Sequence, residues 1–283
     1  RLRMSIFNAV QKRRSYISGE CNITVVIFVT GGGGYVGAML VPHLVREGYS
    51  VTVLDRFMYG VEVLDCHPRL KKVKGDIRDR NLLEGLLPGH DAVIHLACIS
   101  NDPSFELNPE LGRSINLDAF RPLVEASCAA GVSRFIYASS SSVYGIKKES
   151  DVHEGMTLEP LTDYSRFKAE CESILMEYQS DSFTTVTIRP ATVCGYSRRQ
   201  RLDVVVNILT NLAYHKREIT IFGGEQLRPN IHIRDMVESY ITLLEAPKDI
   251  VAGEIYNAGY ENQSVSELAQ TVRDVMGDDI ALT

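Results

Sequence analysis

Three features that the sequence lacks narrow the range of functions. No apolar run approaches the roughly 18 residues that a membrane-spanning helix needs, so we expect no membrane contact and a cytoplasmic location. The six cysteines are scattered, without a CxxC pair or a His–Cys cluster. This scatter predicts free thiols and no metal site. Positive charge is not in excess, because 30 basic and 36 acidic residues give a net charge of −6; this disfavours a nucleic-acid partner.

The length and the order of the predicted elements indicate one enzyme-sized unit. The chain has 283 residues, enough for a large core with a smaller lobe. Residues 1–23 form a basic N-terminal extension without the apolar core of a secretory signal. Strands and helices then alternate, which predicts a Rossmann-like α/β fold with a doubly wound parallel sheet. We expect a first domain at 24–190 and a smaller C-terminal lobe at 191–283, with segments that return to the first domain.

The predicted elements follow from apolar periodicity. One helix contains Pro122, which should remove a backbone hydrogen bond and kink it. Ser264 and Glu267 form a capping box before the last helix. The predicted strands cover 25–29, 50–54, 71–74, 92–96, 134–138 and 185–189, and the predicted helices cover 38–47, 80–87, 116–130, 163–179, 202–216, 234–245 and 266–276.

A glycine-rich turn between the first strand and the first helix is the most informative segment. Residues 30–37 read TGGGGYVG. Glycines let a backbone approach phosphates closely, and the free N–H groups and dipole of a helix start favour an anion. The turn therefore predicts a seat for a dinucleotide pyrophosphate, formed by Gly31, Gly34, Tyr35, Val36 and Gly37.

Asp55 ends the second predicted strand, where a carboxylate can accept hydrogen bonds from the adenosine ribose. Its charge would repel a 2′-phosphate, so the sequence predicts NAD rather than NADP as the cofactor. Arg56, the next residue, is the group that would favour NADP instead.

A tyrosine and a lysine on one helix face predict proton transfer. Tyr164 and Lys168 are four residues apart, so their side chains share a face. A free phenol has a pKa near 10 and is a poor base at neutral pH, but a nearby ammonium and an oxidised nicotinamide lower that pKa. Tyr164 can then take a proton from a substrate hydroxyl. A serine from the run 139–142, at the end of an adjacent strand, can share that hydrogen bond.

With these motifs in this order along the sequence, the chain resembles an extended short-chain dehydrogenase/reductase of the nucleotide-sugar epimerase/dehydratase family. The resemblance extends from about residue 24 to about residue 276. It implies an NAD-binding domain at 24–190 and a substrate-binding region at 191–283. Because related chains continue past this last helix, we also expect the sequence to be incomplete at its C-terminus. Further matching motifs are Gly75-Asp76-Ile77, His95-Leu96-Ala97, Asn116, Arg189-Pro190 and the segment RPNIHIRD at 228–235.

The resemblance assigns roles to individual positions. Tyr164 would be the general base and acid, Lys168 would bind the nicotinamide ribose, and Ser140 would bond the reacting hydroxyl. Asp76 and Ile77 would hold the adenine. The remaining cofactor-binding positions that it implies are Arg56, Leu96 and Ala97, and the substrate-binding positions are Ser141, Ser142, Thr192, Arg201, Asn207 and Arg228.

The family also implies a homodimer built on helices 116–130 and 163–179. Four apolar residues of these helices are candidates for its interface, although burial within one subunit fits their pattern equally well. They are Phe120, Leu123, Ile174 and Leu175.

A departure from the family pattern indicates the reaction. Sugar 4,6-dehydratases have Thr-Asp-Glu where this chain has Ser140-Ser141-Ser142, so the acids for eliminating water are missing. We therefore expect an NAD-dependent epimerase that acts at C4 of an NDP-hexose through a transient 4-keto intermediate. The alternatives are an NAD(P)H-dependent NDP-4-ketosugar reductase and a non-catalytic dinucleotide-binding sensor.

Overall fold

The computed structural model describes residues 25–283 except 101, 148 and 150. The predicted N-terminal extension 1–23 lies outside these residues. The strands are β1 (Val26–Thr30), β2 (Ser50–Asp55), β3 (Leu70–Lys74), β4 (Ala92–His95), β5 (Arg134–Ala138), β6 (Thr184–Pro190), β7 (Thr192–Cys194), β8 (Glu218–Ile219), β9 (Leu227–His232), β10 (Glu254–Ala258), β11 (Glu261–Ser264) and β12 (Ala281–Leu282).

The α-helices flank these strands, and shorter helical turns join them. The helices are α1 (Gly37–Arg46), α2 (Arg80–Leu86), α3 (Asp102–Glu106), α4 (Pro109–Arg113), α5 (Phe120–Ala129), α6 (Asp163–Met176), α7 (Val205–Lys216), α8 (Ile233–Glu245), α9 (Lys248–Val251) and α10 (Val265–Met276). The short turns are 3₁₀ helices at Val61–Val63 and Ser141–Tyr144 and a π-helical turn at Ser114–Asp118. No helix among the described residues is long and apolar enough to cross a membrane.

A parallel sheet of seven strands forms the centre of the molecule, in the order β10-β6-β5-β4-β1-β2-β3. Its inner strands β1 and β4 are almost entirely apolar because helices cover both faces. The edge strand β3 instead carries Lys71, Lys72 and Lys74, charges that protect an open sheet edge from further pairing. The predicted doubly wound parallel sheet is confirmed.

Separate apolar clusters fill the two faces of this sheet. One packs α1 and α8 against it, and the other packs α2, α5 and α6. A third, smaller cluster holds α7 and α10 together. Since α8 and β10 belong to the central layers, the chain returns to the central sheet after α7. The predicted domain boundary at residue 190 stays a prediction.

The helix expected at 116–130 differs from the prediction. The chain makes a π-helical turn first and begins α5 at Phe120. Pro122 therefore lies in the first turn of α5, soon after the π-helical turn, and α5 continues past it to Ala129. The capping box is confirmed, because the side chains and backbone N–H groups of Ser264 and Glu267 bond reciprocally.

The four candidate interface residues lie inside the chain. Phe120, Leu123, Ile174 and Leu175 are each at most 9% exposed and belong to the cluster between α5, α6 and the sheet. Burial within one subunit therefore accounts for their pattern, and the homodimer stays a prediction.

Candidate active site

The candidate site lies where the sheet reverses its strand order. The carboxyl ends of β1 and β4 lie side by side, and such a switch point opens a crevice for ligands. The backbone N–H of Leu96 donates to the carbonyl of Thr30 at 3.1 Å. Gly31 has a φ of +73°, and a Cβ there would lie 2.6 Å from the nitrogen of Ala97. Gly31, Leu96 and Ala97 therefore meet at this crevice, where a side chain on Gly31 has no room.

The glycine turn fits a pyrophosphate. A Cβ on Gly37 would lie 2.5 Å from the Cα of Gly32, so this glycine allows α1 to approach the turn. A Cβ on Gly34 would meet only the Gly31 carbonyl within 4 Å, among the residues that the structure describes. No side chain of the described residues caps α1, and its first turn has no acidic residue. These features leave a concave, anion-attracting surface, to which Tyr35 and Val36 add the start of the helix.

Asp55 is held in a fixed orientation at the end of β2. One carboxylate oxygen accepts from the N–H of Gly33 at 2.9 Å, and the other accepts from the N–H of Phe57 at 2.6 Å. Each oxygen keeps a lone pair. The half-buried carboxylate can therefore still accept hydrogen bonds from ribose hydroxyls.

Asp76 is engaged by two arginines. Its carboxylate accepts from Arg56 at 2.6 Å and from Arg78 at 2.6 and 2.9 Å. The hydrogen bonds from Arg78, together with those from Arg56, hold the pKa of Asp76 well below its usual range. Contact of this carboxylate with an adenine would compete with both guanidinium groups. The adenine-binding roles of Asp76 and of the buried Ile77 stay predictions.

The structure brings Tyr164, Lys168 and Ser140 together. The Lys168 ammonium is buried, donates to the carbonyl of Ala138 at 2.5 Å, and lies 5.9 Å from the centre of the Tyr164 ring. The Ser140 side chain lies near enough to the Tyr164 phenol to lower its pKa. Ser142 donates to the Ser140 hydroxyl at 2.9 Å, which fixes the orientation of the serine that faces the phenol.

Burial has the largest effect on the pKa of the Tyr164 phenol. It raises this pKa above the ordinary value, while the Lys168 cation, the Ser140 side chain and the Arg201 cation lower it. The sum is still a raised pKa. The Lys168 cation thus acts on the phenol in the direction that the sequence analysis expects, against the effect of burial.

A buried ion pair behind the serine run is a feature that sequence reasoning missed. Arg189 and Glu172 are separated by 2.6 Å, with side chains that are 3% and 6% exposed. Ser139 donates to the same carboxylate, and Arg189 also donates to the Tyr144 hydroxyl at 2.7 Å. The pair therefore holds both ends of the segment that carries Ser140.

The spacing along α6 contains a signal for this ion pair. Glu172 follows Lys168 by four residues, just as Lys168 follows Tyr164. The three side chains thus share one helix face, and a carboxylate on a face that enters the core requires a buried partner.

His95 supports the sheet and does not titrate near neutral pH. Burial, helped by the nearby Lys168 cation, lowers the pKa of His95 to about 3. Its ring bonds the Thr30 hydroxyl at 2.7 Å and stacks on Tyr137. The neutral imidazole therefore acts in packing.

Thr192 and Arg228, two of the predicted substrate-binding residues, share one face of a small sheet. Thr192 on β7 is in register with Asn230 on β9, and Arg228 precedes Asn230 by two residues, so the three side chains point to the same side. Arg228 is exposed and donates to Gln226 at 2.9 Å. The buried side-chain oxygen of Asn230 has no hydrogen-bond partner among the described residues. Sequence reasoning did not single out this residue.

Arg201 and Asn207 differ in their surroundings. Arg201 forms an ion pair with Asp203 and donates to the Ser100 hydroxyl at 3.2 Å. Its positive charge also lowers the pKa of Tyr164. Asn207 is buried, and its amide bonds Tyr35, Gly195 and the backbone of Arg201. The Asn207 amide is thus engaged within the chain, and its direct contact with substrate stays a prediction. Ser141 and Ser142 are half-buried beside Ser140.

Comparison with known proteins gives the family. The sequence matches the NAD dependent epimerase/dehydratase family over residues 27–259. It is 33% identical to the uncharacterised protein y4nG of Sinorhizobium fredii, over 88% of this chain but 60% of that protein. It is 28% identical to the UDP-glucose 4-epimerase of Lactobacillus helveticus, over 91% of this chain and 83% of that enzyme. DesIV of Streptomyces venezuelae, a dTDP-glucose 4,6-dehydratase solved with NAD and TYD bound, superposes with a TM-score of 0.81 at 26% identity, covering 92% of this chain and 84% of DesIV.

The chain therefore belongs to the NAD-dependent epimerase/dehydratase family. It is an enzyme of that family, and NAD is its cofactor. The relatives include both an epimerase and a dehydratase, so the choice between the two reactions depends on the residues around Tyr164.

Proposed function

We propose that the protein is a nucleotide-sugar epimerase that inverts C4 of an NDP-hexose through a transient 4-keto intermediate. The observation that carries the proposal is the composition of the segment beside Tyr164. Positions 140–142 are three serines, where a dehydratase needs two acids to eliminate water. Tyr164, Lys168 and Ser140 suit reversible oxidation of an alcohol and reduction of a ketone.

Each residue of the set has a distinct task in this mechanism. Bound NAD supplies the hydride acceptor and, after the ketone turns over, the hydride donor. The Tyr164 oxygen takes the proton of the C4 hydroxyl and later returns a proton to the oxygen of the epimeric alcohol. Ser140 bonds that same oxygen. Lys168, oriented by the Ala138 carbonyl, stabilises the phenolate with its charge.

The nucleotide part of the substrate would contact the second lobe. Arg228 can bind diphosphate oxygens in a bidentate manner, and Thr192 and Asn230 share its face. Arg201 would lie closer to the sugar, because its cation lowers the pKa of Tyr164, which acts on the C4 hydroxyl. The base and the sugar are to be identified by assay.

The proposal is tested by incubating UDP-, dTDP-, GDP- and CDP-hexoses with the enzyme and NAD and separating the stereoisomers. Tyr164→Phe should reduce turnover roughly 10²–10⁴-fold, the usual contribution of general acid–base catalysis, with NAD binding retained. Tyr178→Phe, which removes a hydroxyl that bonds Arg121 and Glu125 on the neighbouring helix, is the matched control. An unchanged rate in Tyr164→Phe would refute the mechanism.

Two other outcomes identify a different reaction. A product lighter by one water molecule would show dehydration. A protein that releases NAD freely and consumes a reduced cofactor together with a 4-ketosugar would be the alternative reductase. The epimerase proposal instead expects NAD to be released, and identified by mass, when the purified protein is denatured.

A further inference from the structure

Tyr35 connects the cofactor turn to the second lobe. It follows the glycines of the turn, and its ring is 7% exposed. Its hydroxyl donates to the carbonyl of Gly195 at 2.6 Å, while its own carbonyl accepts from the Ser197 hydroxyl at 2.8 Å. Both partners lie in the segment 195–201, which follows β7. This segment is therefore fastened directly to the turn that seats the pyrophosphate.

Asn207 completes the connection from the opposite side. Its amide nitrogen donates to the Tyr35 hydroxyl at 3.1 Å and to the carbonyl of Arg201 at 2.7 Å, and its oxygen accepts from the N–H of Gly195 at 2.9 Å. One buried amide thus bonds both ends of the segment 195–201 and the phenol between them. Loss of the phenol would leave the Gly195 carbonyl and one amide donor without this partner, which is costly for buried groups.

Arg201 extends from this segment to the reacting end of the site. Its guanidinium donates to Ser100, just beyond β4, at 3.2 Å and pairs with Asp203. It is one of the charged or titratable groups around Tyr164. The others are Lys168 on the same helix, Cys98 beyond β4, and the buried Tyr137 and Tyr240.

We propose that Tyr35 is a positioning residue whose hydroxyl, through Asn207, fixes Arg201 relative to Tyr164. The hydroxyl makes the connection, because a phenylalanine would fill the same volume and leave the glycine turn unchanged. The inference rests on the proposed role of Tyr164. It adds that the glycine turn, besides holding the pyrophosphate, also fixes the position of Arg201 relative to Tyr164.

Titration of Tyr164 in the NAD complex tests the proposal. A tyrosine phenolate absorbs at longer wavelength than the neutral phenol. Because the sequence has no tryptophan, indole absorbance does not overlap this signal. Subtracting the titration of Tyr164→Phe isolates this residue. Because the Arg201 cation lowers the pKa of Tyr164, both Tyr35→Phe and Arg201→Gln should raise that pKa, and Arg201→Gln should raise it at least as far as Tyr35→Phe.

Tyr256→Phe is the matched control. It removes the hydroxyl of a buried tyrosine that donates to the carbonyl of Ile250 at 2.9 Å. Tyr256 makes none of the hydrogen bonds described above for Tyr35, Asn207 and Arg201. It should lose stability but leave the Tyr164 titration unchanged. An unshifted titration in Tyr35→Phe overturns the proposal, and so does an unshifted titration in Arg201→Gln. Failure of the proposed function would appear separately, as full turnover in Tyr164→Phe.

Discussion

At the scale of single residues, Lys168 and Ser140 should differ in what their loss does. Ser140→Ala removes one hydrogen bond and leaves the base, so its turnover should stay above that of Tyr164→Phe. Lys168→Met removes the cation that opposes the effect of burial on the phenol. It should weaken NAD binding and raise the pKa of Tyr164. Since activity rises with pH as the phenolate forms, its rising limb should move to higher pH.

Profiles of kcat against pH and calorimetric NAD titrations measure both effects. The rising limb should be absent from Tyr164→Phe, which has no phenol to ionise at this position. If Lys168→Met keeps the limb of the unmodified enzyme, the lysine does not act on the phenol.

Asp55 should determine the preference for NAD over NADP. Its fixed carboxylate repels a 2′-phosphate, so NAD should bind more tightly, and Asp55→Asn should reduce the difference between the two affinities. Calorimetry on protein stripped of nucleotide measures both. Asp91→Asn is the control, because Asp91 also accepts from a backbone N–H, that of Val26 at 2.7 Å, but at the amino ends of the strands. Tighter binding of NADP to the unmodified protein would contradict the prediction and implicate Arg56.

Site residues could be predicted where the residues that act together are close to one another in the sequence. The glycine turn and the spacing of Tyr164 and Lys168 are read from adjacent positions. The ion pair of Glu172 and Arg189 joins α6 to β6, and only the packing of those elements brings the two charges together. The hydrogen bonds of the Asn207 amide to Tyr35 and to the backbone of Arg201 likewise join segments that are distant in sequence, so they could not be predicted; its contact with substrate stays a prediction.

At the scale of elements, the buried pair Glu172–Arg189 should make α6 sensitive to one substitution. Glu172→Gln leaves the Arg189 charge uncompensated in the core. Breaking a buried pair in this way costs about 3–5 kcal/mol in the free energy of unfolding. Urea denaturation measures the change. Glu170→Gln, on the exposed face of the same helix, should alter stability by no more than about 0.5 kcal/mol, and equal effects of the two substitutions would contradict the assignment.

Element boundaries were predicted well where apolar periodicity is uniform and less well near α5. The sequence shows that Pro122 disfavours a helix interior. It does not show that the chain would make a π-helical turn at Ser114–Asp118 and begin α5 at Phe120. That shift is set by packing of Leu117 and Phe120 against the sheet, which requires the tertiary structure.

At the scale of the whole molecule, we expect a homodimer. Phe120, Leu123, Ile174 and Leu175 are buried within one chain. An interface at α5 and α6 must therefore use exposed polar side chains, such as Arg121 on α5 and Glu177 just after α6. Such an interface should weaken with salt. Light scattering at micromolar concentration should give twice the mass of the chain at low salt. Monomer alone under those conditions would contradict the prediction.

The alternation of strands and helices sufficed to predict the class of fold, because a parallel sheet requires crossover helices. The packing of the elements that follow residue 190 was harder to predict. The helix at 234–245 was predicted, but not its packing beside α1. The strand β10 was not predicted, because its polar residues Glu254 and Asn257 interrupt the apolar pattern.

The late pairing of β6 with β10 has a consequence for the order of folding. Val186 and Ile188 pair with Glu254 and Tyr256, so synthesis of the whole intervening lobe separates the two strands. Until β10 emerges from the ribosome, β6 is an open edge beside a nearly finished sheet, and such edges invite association with other chains. Closing so long a loop is also slow. The nascent enzyme is therefore most vulnerable to aggregation while residues 191–253 are being synthesised.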